Sequence, residues 1–144
     1  ENMDNSMTLR LPALSKNEAL ARSAVAAFAV ELDPTIDELG DIKTAVSEAV
    51  TNSIVHGYPD GGGDIEIRAE LNGRTIHIEV LDDGIGIADI PAALCPFYTT
   101  KAGEERSGMG FTVMETFMDD LKVENRESGG LKVTMEKTLG KRIR

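Results

Sequence analysis

DIEIRAELNGRTIHIEVLDDGIGI, residues 64–87, decides the fold. Ile65, Ile67, Ala69 and Leu71 alternate with polar residues, and Ile76, Ile78 and Val80 do the same beyond Asn72-Gly73. Alternation of this period marks a strand with one buried face, and Asn-Gly between two such runs is a strong hairpin signal. The stretch predicts two antiparallel strands. It ends in Asp82-Asp83-Gly84-Ile85-Gly86, an acidic strand end followed by glycines at alternate positions.

A second pair of alternating runs lies near the end of the chain, with Leu121 and Val123 before Ser128-Gly129-Gly130 and Leu131, Val133 and Met135 after it. A short strand is expected at Met7 to Leu11. Two helices follow it. Ser15 and Glu18 have capping-box spacing, as do Thr35 and Glu38. The expected core stripes are Leu20, Ala24, Ala27, Phe28 and Leu32 on the first helix, and Ile36, Leu39, Ile42, Val46 and Val50 on the second, which runs to Gly57. Half-apolar strands need a cover on one face, and only the helices can supply it. The expected fold class is α+β: a two-layer α/β sandwich with a mostly antiparallel mixed sheet, covered on one face by helices.

The 144 residues suit one domain, expected over 7–138, with a disordered start at 1–6 and a basic tail at 139–144. Hydrophobic residues are 41% of the chain, enough for a core, but aromatics are only 4%, so that core is aliphatic. With 15 basic and 25 acidic residues the net charge is −10, which argues against a phosphate-backbone binder, so no direct nucleic-acid contact is expected. No apolar run approaches the roughly 20 residues that span a bilayer, and no membrane association is expected. A single cysteine, Cys95, cannot form an internal disulfide, and the expected location is cytoplasmic.

The chemistry sits in three places. Glu48 and Asn52 are four residues apart, about 40° round a helix, with small Ala45 and Ala49 beside them. Such a pair is either a solvated polar face or a carboxylate base with an amide metal ligand. Asp82 with Gly84 and Gly86 is either a plain turn or a carboxylate that accepts from a flat ligand's amino edge where the backbone approaches closely. The stretch from Ile87 to Ser107 has no clear period and reads as a lid of about 87–107. It leads into Arg106-Ser107-Gly108-Met109-Gly110 at the start of a short helix, which is either a hinge or a set of amides and a guanidinium for a polyphosphate. His56 reads as a helix-end packing group, and His77 as solvent-facing.

Taken in that order, the three motifs resemble the Bergerat-type ATP-binding fold shared by gyrase, Hsp90, histidine kinases and MutL, over about residues 7 to 138. The resemblance implies that Glu48 is the catalytic base and that Asn52 binds both the nucleotide and its Mg²⁺. It implies that Asp82, Gly84 and Gly86 hold adenine. Thr100, Lys101, Arg106, Ser107, Gly108, Met109 and Gly110 then wrap the phosphates of ATP or ADP. At a net charge of −10, Mg²⁺ and local cations such as Lys101 and Arg106 are needed to tolerate a triphosphate.

Within that family the single short domain, His56-Gly57-Tyr58, Pro96-Phe97-Tyr98-Thr99-Thr100-Lys101 and Gly108-Met109-Gly110-Phe111 look like the small anti-sigma serine kinases of sporulating bacteria. The turn at Gly61 to Gly63 differs in local detail. This implies a chain that holds a sporulation sigma factor of the F type inactive and phosphorylates a serine of an anti-anti-sigma protein. A homodimer is also expected. On the first helix Glu18 and Arg22 edge a small, uncharged surface that includes Ala26 and Ala29, the expected docking site for both partners. A stress-response relative, or a binding module without turnover, is the alternative. A sensor histidine kinase would need a phosphoacceptor helix, and no histidine precedes Asp33. A gyrase-type clamp would need a transducer domain after this one.

Overall fold

The structure, a computed structural model, describes residues 4–95 and 110–140. Among them, β1 (Asn5–Pro12), β2 (Asp64–Asn72), β3 (Thr75–Asp82), β4 (Asp120–Asn125) and β5 (Leu131–Thr138) form one sheet in the order β1-β2-β3-β5-β4. Every described pairing is antiparallel, so the expected mixed character is absent. Both sequence-read hairpins form. In the first, Asn72 pairs with Thr75, so the two-residue loop is Gly73-Arg74, one step beyond Asn72-Gly73, with Gly73 at φ +61°. A glycine at the first loop position supplies that φ without strain.

The inward residues run in rows across the sheet: Leu9, Ile67, Val80, Val133 and Val123 stand in register over all five strands. Helices α1 (Asn17–Ala29), α2 (Ile36–Asn52) and α4 (Gly110–Phe117) close the same core from one side, and a one-turn helix, α3 (Ile90–Ala93), packs against it only through Ala93. This is the expected two-layer sandwich. Lys137, on β5, donates to the carbonyl of Phe117 at 2.8 Å and pairs with Asp41 at 3.5 Å, tying the end of α4 to α2.

The stripe on α1 shifts in phase, while on α2 only Ile36 departs from the expected face. On α1 the buried residues are Ala21, Val25, Ala26 and Ala29, while Leu20 is 50% exposed. Alanines carry this seam, and one residue of slippage turns the face by about 100°. On α2 the Thr35–Glu38 capping box forms as expected, and the buried arc is Ile42, Ala45, Val46, Ala49 and Val50. Ile36, six residues before Ile42 and so about 240° away round the helix, is 90% exposed. The capping box expected at Ser15 does not form. Lys16 is the cap residue without a side-chain bond, because the Glu18 carboxylate is taken by Arg22 at 2.8 Å.

The chain ends are more ordered than expected. Asn5 and Ser6 pair with Leu71 and Glu70 in β1, and Asp4 accepts from the Gly73 amide at 2.8 Å. Leu139 is fully buried and donates to the Arg74 carbonyl, and the Gly140 amide donates to Glu38. Residues 1–3 and 141–144 lie outside the described residues.

On the sheet face away from the helices, His77 bonds Glu136 through Nδ1 at 2.7 Å and Glu79 through Nε2 at 3.3 Å. Burial works against the imidazolium, but the hydrogen bonds and charges of these two carboxylates outweigh it and raise the His77 pKa above its ordinary value. A group whose folded pKa is raised stabilises the fold below its unfolded pKa, about 6.5, and loses that contribution as pH rises through the folded value. His77→Gln is therefore expected to cost about 0.5–1 kcal/mol at pH 5.5 and little at pH 9, read from urea midpoints. An equal loss at both pH values would contradict this.

Candidate nucleotide site

Strand alternation explains why an acidic residue faces inward. Ile76, Ile78 and Val80 point into the core, and Asp82 is the next residue of the same row, 2% exposed. A buried carboxylate must be hydrogen-bonded. Asp82 Oδ1 accepts from the Gly84 amide at 2.9 Å and the Leu131 amide at 3.2 Å. Oδ2 accepts from the Ser53 hydroxyl at 2.8 Å. A carboxylate has about four acceptor positions, so these three donors leave one, on Oδ2.

The Ser53 bond joins the two motifs. After Asn52 the helix widens into one π-helical turn, Ser53–Gly57, a departure often found at functional sites. The turn aims Ser53 at Asp82 and lays Gly57 against the same carboxylate. A side chain at Gly84 would place its Cβ 2.0 Å from the Gly57 carbonyl oxygen, so only glycine permits this approach. The Ile85 amide donates to that oxygen at 3.0 Å. Tyr58 closes one side, with its hydroxyl accepting from the Asp83 amide and donating to the Asp64 carbonyl, each at 2.7 Å.

Immediately before Ser53, Asn52 is 9% exposed, and among the described residues its Nδ2 has no hydrogen-bond partner. An unused buried donor costs about 1–3 kcal/mol, so an acceptor or a metal-bound ligand at this side chain would recover energy. Glu48, one turn earlier, lines a groove with Arg22, Gly40, Lys43, Thr44 and Ser47. Ala45 and Ala49, expected beside Glu48 and Asn52, are fully buried in the core. The groove joins Glu48 to Glu18 and Arg22 on α1. Burial alone would raise the Glu18 pKa, but hydrogen bonds from Arg22 and Ser47 and the Arg22 charge hold it below the ordinary value. Ala26 and Ala29 are buried rather than part of a docking surface. The small face that α1 exposes is Ala19, Leu20, Ser23 and Ala27.

The structure thus sets the end of α2, the helix that carries Glu48 and Asn52, against Asp82 and Gly84 through Ser53 and Gly57, with Gly86 in the same loop and Gly110 opening α4. Thr100, Lys101, Arg106, Ser107, Gly108 and Met109 lie outside the described residues, as does most of the expected lid. The part that is described, 87–95, contains α3, capped by Asp89. Ser53, Tyr58, Asn125 and Arg126 were not among the site residues expected from the sequence. A Mg²⁺ ion keeps several waters and shares the phosphates of its nucleotide. Among the described residues no group of three or more His, Cys, Asp or Glu can hold a metal. The spare Nδ2 hydrogen of Asn52 suits a phosphate oxygen, and a Mg²⁺ ion would take Oδ1, so the residues present fit an ion carried in with a nucleotide rather than a protein cage.

The model of the histidine kinase-like ATPase domain family matches residues 11–137. Two solved structures share the fold: the RsbU and RsbW domains of a Mycobacterium tuberculosis protein, with TM-score 0.66 and 19% identity over 94% of this chain and 32% of that one, and the catalytic domain of the histidine kinase ThkA, with TM-score 0.60 and 15% identity over 92% and 98%. The fold is that of a histidine kinase-like ATPase domain. Curated relatives are closer in sequence. The anti-sigma F factor of Thermoanaerobacter sp. (strain X514) is 56% identical over 94% of this chain and 95% of its own length. That of Clostridium acetobutylicum is 53% identical over 94% of each. The chain belongs to the histidine kinase-like ATPase family and, within it, to the anti-sigma F factors.

Proposed function

We propose that this chain is a serine protein kinase that uses Mg-ATP, holds a sporulation sigma factor inactive, and phosphorylates a serine of an anti-anti-sigma partner. The observation that carries the reading is the Ser53–Asp82 bond, which sets a carboxylate with one free acceptor beside the helix that bears Glu48 and Asn52. Asp82 accepts the adenine amino group, with Gly84 and Gly86 shaping the loop around the base. Asn52 offers its amide to the phosphates and to Mg²⁺, which neutralises phosphate charge when bound. Thr100, Lys101, Arg106, Ser107, Gly108, Met109 and Gly110 hold the rest of the triphosphate. Glu48 takes the proton from the partner's serine hydroxyl as that oxygen bonds to the γ-phosphorus. The bond from the γ-phosphorus to the β–γ bridging oxygen then breaks, and ADP leaves.

The partners dock on α1 at the Glu18–Arg22 pair, where Arg22 lines the Glu48 groove. The chain works in the cytoplasm as a homodimer. No helix among the described residues is long and apolar enough to cross a membrane.

The test uses ATP labelled at the γ-phosphate, Mg²⁺ and an anti-anti-sigma protein. Label on a partner serine is expected, and a partner that binds without acquiring label would leave only a binding module. Arg22→Ala is expected to lose at least tenfold in affinity for both partners, as for a charged residue at an interface, with nucleotide binding intact. Parental capture of both partners in a pull-down with ATP would refute the shared docking site.

A further inference from the structure

The loop 82–87 is tied down at both ends by two consecutive residues at the far edge of the sheet. Asn125, the last residue of β4, accepts from the Ile87 amide at 2.9 Å through Oδ1 and donates to the Ile87 carbonyl at 2.7 Å through Nδ2. The side-chain amide thus pairs with Ile87 as a neighbouring strand would. Arg126 donates through Nη1 to the Asp82 carbonyl and to Asp83 Oδ1, both at 2.8 Å. Its own backbone is fixed by the turn that follows, where the Arg126 amide bonds the Gly130 carbonyl and the Gly129 amide bonds the Arg126 carbonyl, each at 3.0 Å. The same hairpin delivers the Leu131 amide to Asp82 Oδ1.

These side-chain bonds go to the loop. The sheet beneath is held by its own ladders and by the apolar rows, so losing the bonds frees the loop without removing core contacts. A six-residue loop with two glycines has many conformations, and a ligand that had to order it would bind less tightly by that entropy. Arg126 also sets a positive charge against the Asp83 carboxylate at the site's edge.

We propose that Asn125 and Arg126 are positioning residues for the nucleotide, which hold the loop 82–87 in its binding shape so that Asp82 meets the base without prior ordering. The proposal rests on the reading of Asp82 as the base acceptor. Neither residue touches the reacting phosphates, so both act on affinity and not on the chemical step.

The experiment measures the affinity of a fluorescent ADP analogue, and KM for ATP and kcat in partner phosphorylation, for Arg126→Ala, Asn125→Ala and Arg126→Lys. Thermal melting without ligand runs alongside. Arg126→Ala and Asn125→Ala are expected to raise Kd and KM roughly tenfold, the scale of a lost preorganising contact, with kcat at saturating ATP within about twofold of the parent. Arg126→Lys, which keeps the charge and one of the two bonds, should recover part of the loss. Parental Kd in both alanine variants, or a fall in kcat at unchanged KM, overturns the proposal. If Arg126→Ala does not fold, Asn125→Ala and Arg126→Lys decide it. Asp82→Asn separates the two readings. Parental affinity in that variant sinks the base assignment itself, whereas a loss there with none at 125 and 126 sinks only the clamp.

Discussion

Glu48→Ala is expected to slow phosphoryl transfer to a partner serine by about 10²- to 10⁴-fold while nucleotide affinity stays near the parental value, because a general base contributes on that scale. The asymmetry follows from position. Glu48 lines an open groove on α2 rather than the core, so removing its carboxyl leaves no buried cavity. Alanine is also the best helix former, so the helix that carries Asn52 and Ser53 keeps its geometry. Binding rests on Asn52 and Asp82, which the substitution does not touch. Single-turnover transfer, with nucleotide affinity measured by calorimetry on the same preparations, separates the two effects. Transfer at the parental rate would reduce Glu48 to a groove residue, and Glu48→Gln guards against an effect of lost size alone.

The sheet was readable because its apolar residues are large and strictly alternate: Ile65 to Leu71 and Ile76 to Val80 leave one register for burial, and a slip of one residue would expose them all. The helices were read correctly in extent, and α2 in phase apart from Ile36, but not α1. On α1 the buried seam is Ala21, Val25 and Ala29, and alanine is too weakly apolar to outweigh the single large Leu20, which the structure exposes. The site divides in the same way. Glu48, Asn52 and Asp82 stand out because each breaks a local pattern, Asp82 most clearly as a charged residue in a row of core positions. Ser53, Tyr58, Asn125 and Arg126 break none. Ser53 meets Asp82 across 29 residues and Arg126 meets it across 44, and contacts at that separation are made by the topology, with no local spacing to betray them. The residues proposed to present chemistry were thus legible, and those that bond to them across the fold were not.

Asp82→Asn is the sharper test of ligand identity, because the surrounding donors dictate how the new amide must turn. The Gly84 and Leu131 amides both point at Oδ1, and neither can accept, so the asparagine oxygen must occupy that place. Its NH₂ group then replaces Oδ2 beside the Ser53 hydroxyl, which can rotate and accept from it. Every local partner stays satisfied, and the fold should survive with a small change in melting temperature. The free acceptor, however, has become a donor. An adenine amino group arriving there meets another NH₂ group, and an unmade bond in a buried site costs about 1–3 kcal/mol, or about 5- to 150-fold in affinity. Hypoxanthine carries a carbonyl where adenine carries its amino group, so the preference should move the other way for inosine nucleotides. The parent should bind ADP far better than IDP, and Asp82→Asn should narrow or invert that ratio. Calorimetry with both nucleotides checks it, and an unchanged ratio would mean that the Asp82 carboxylate does not read the base.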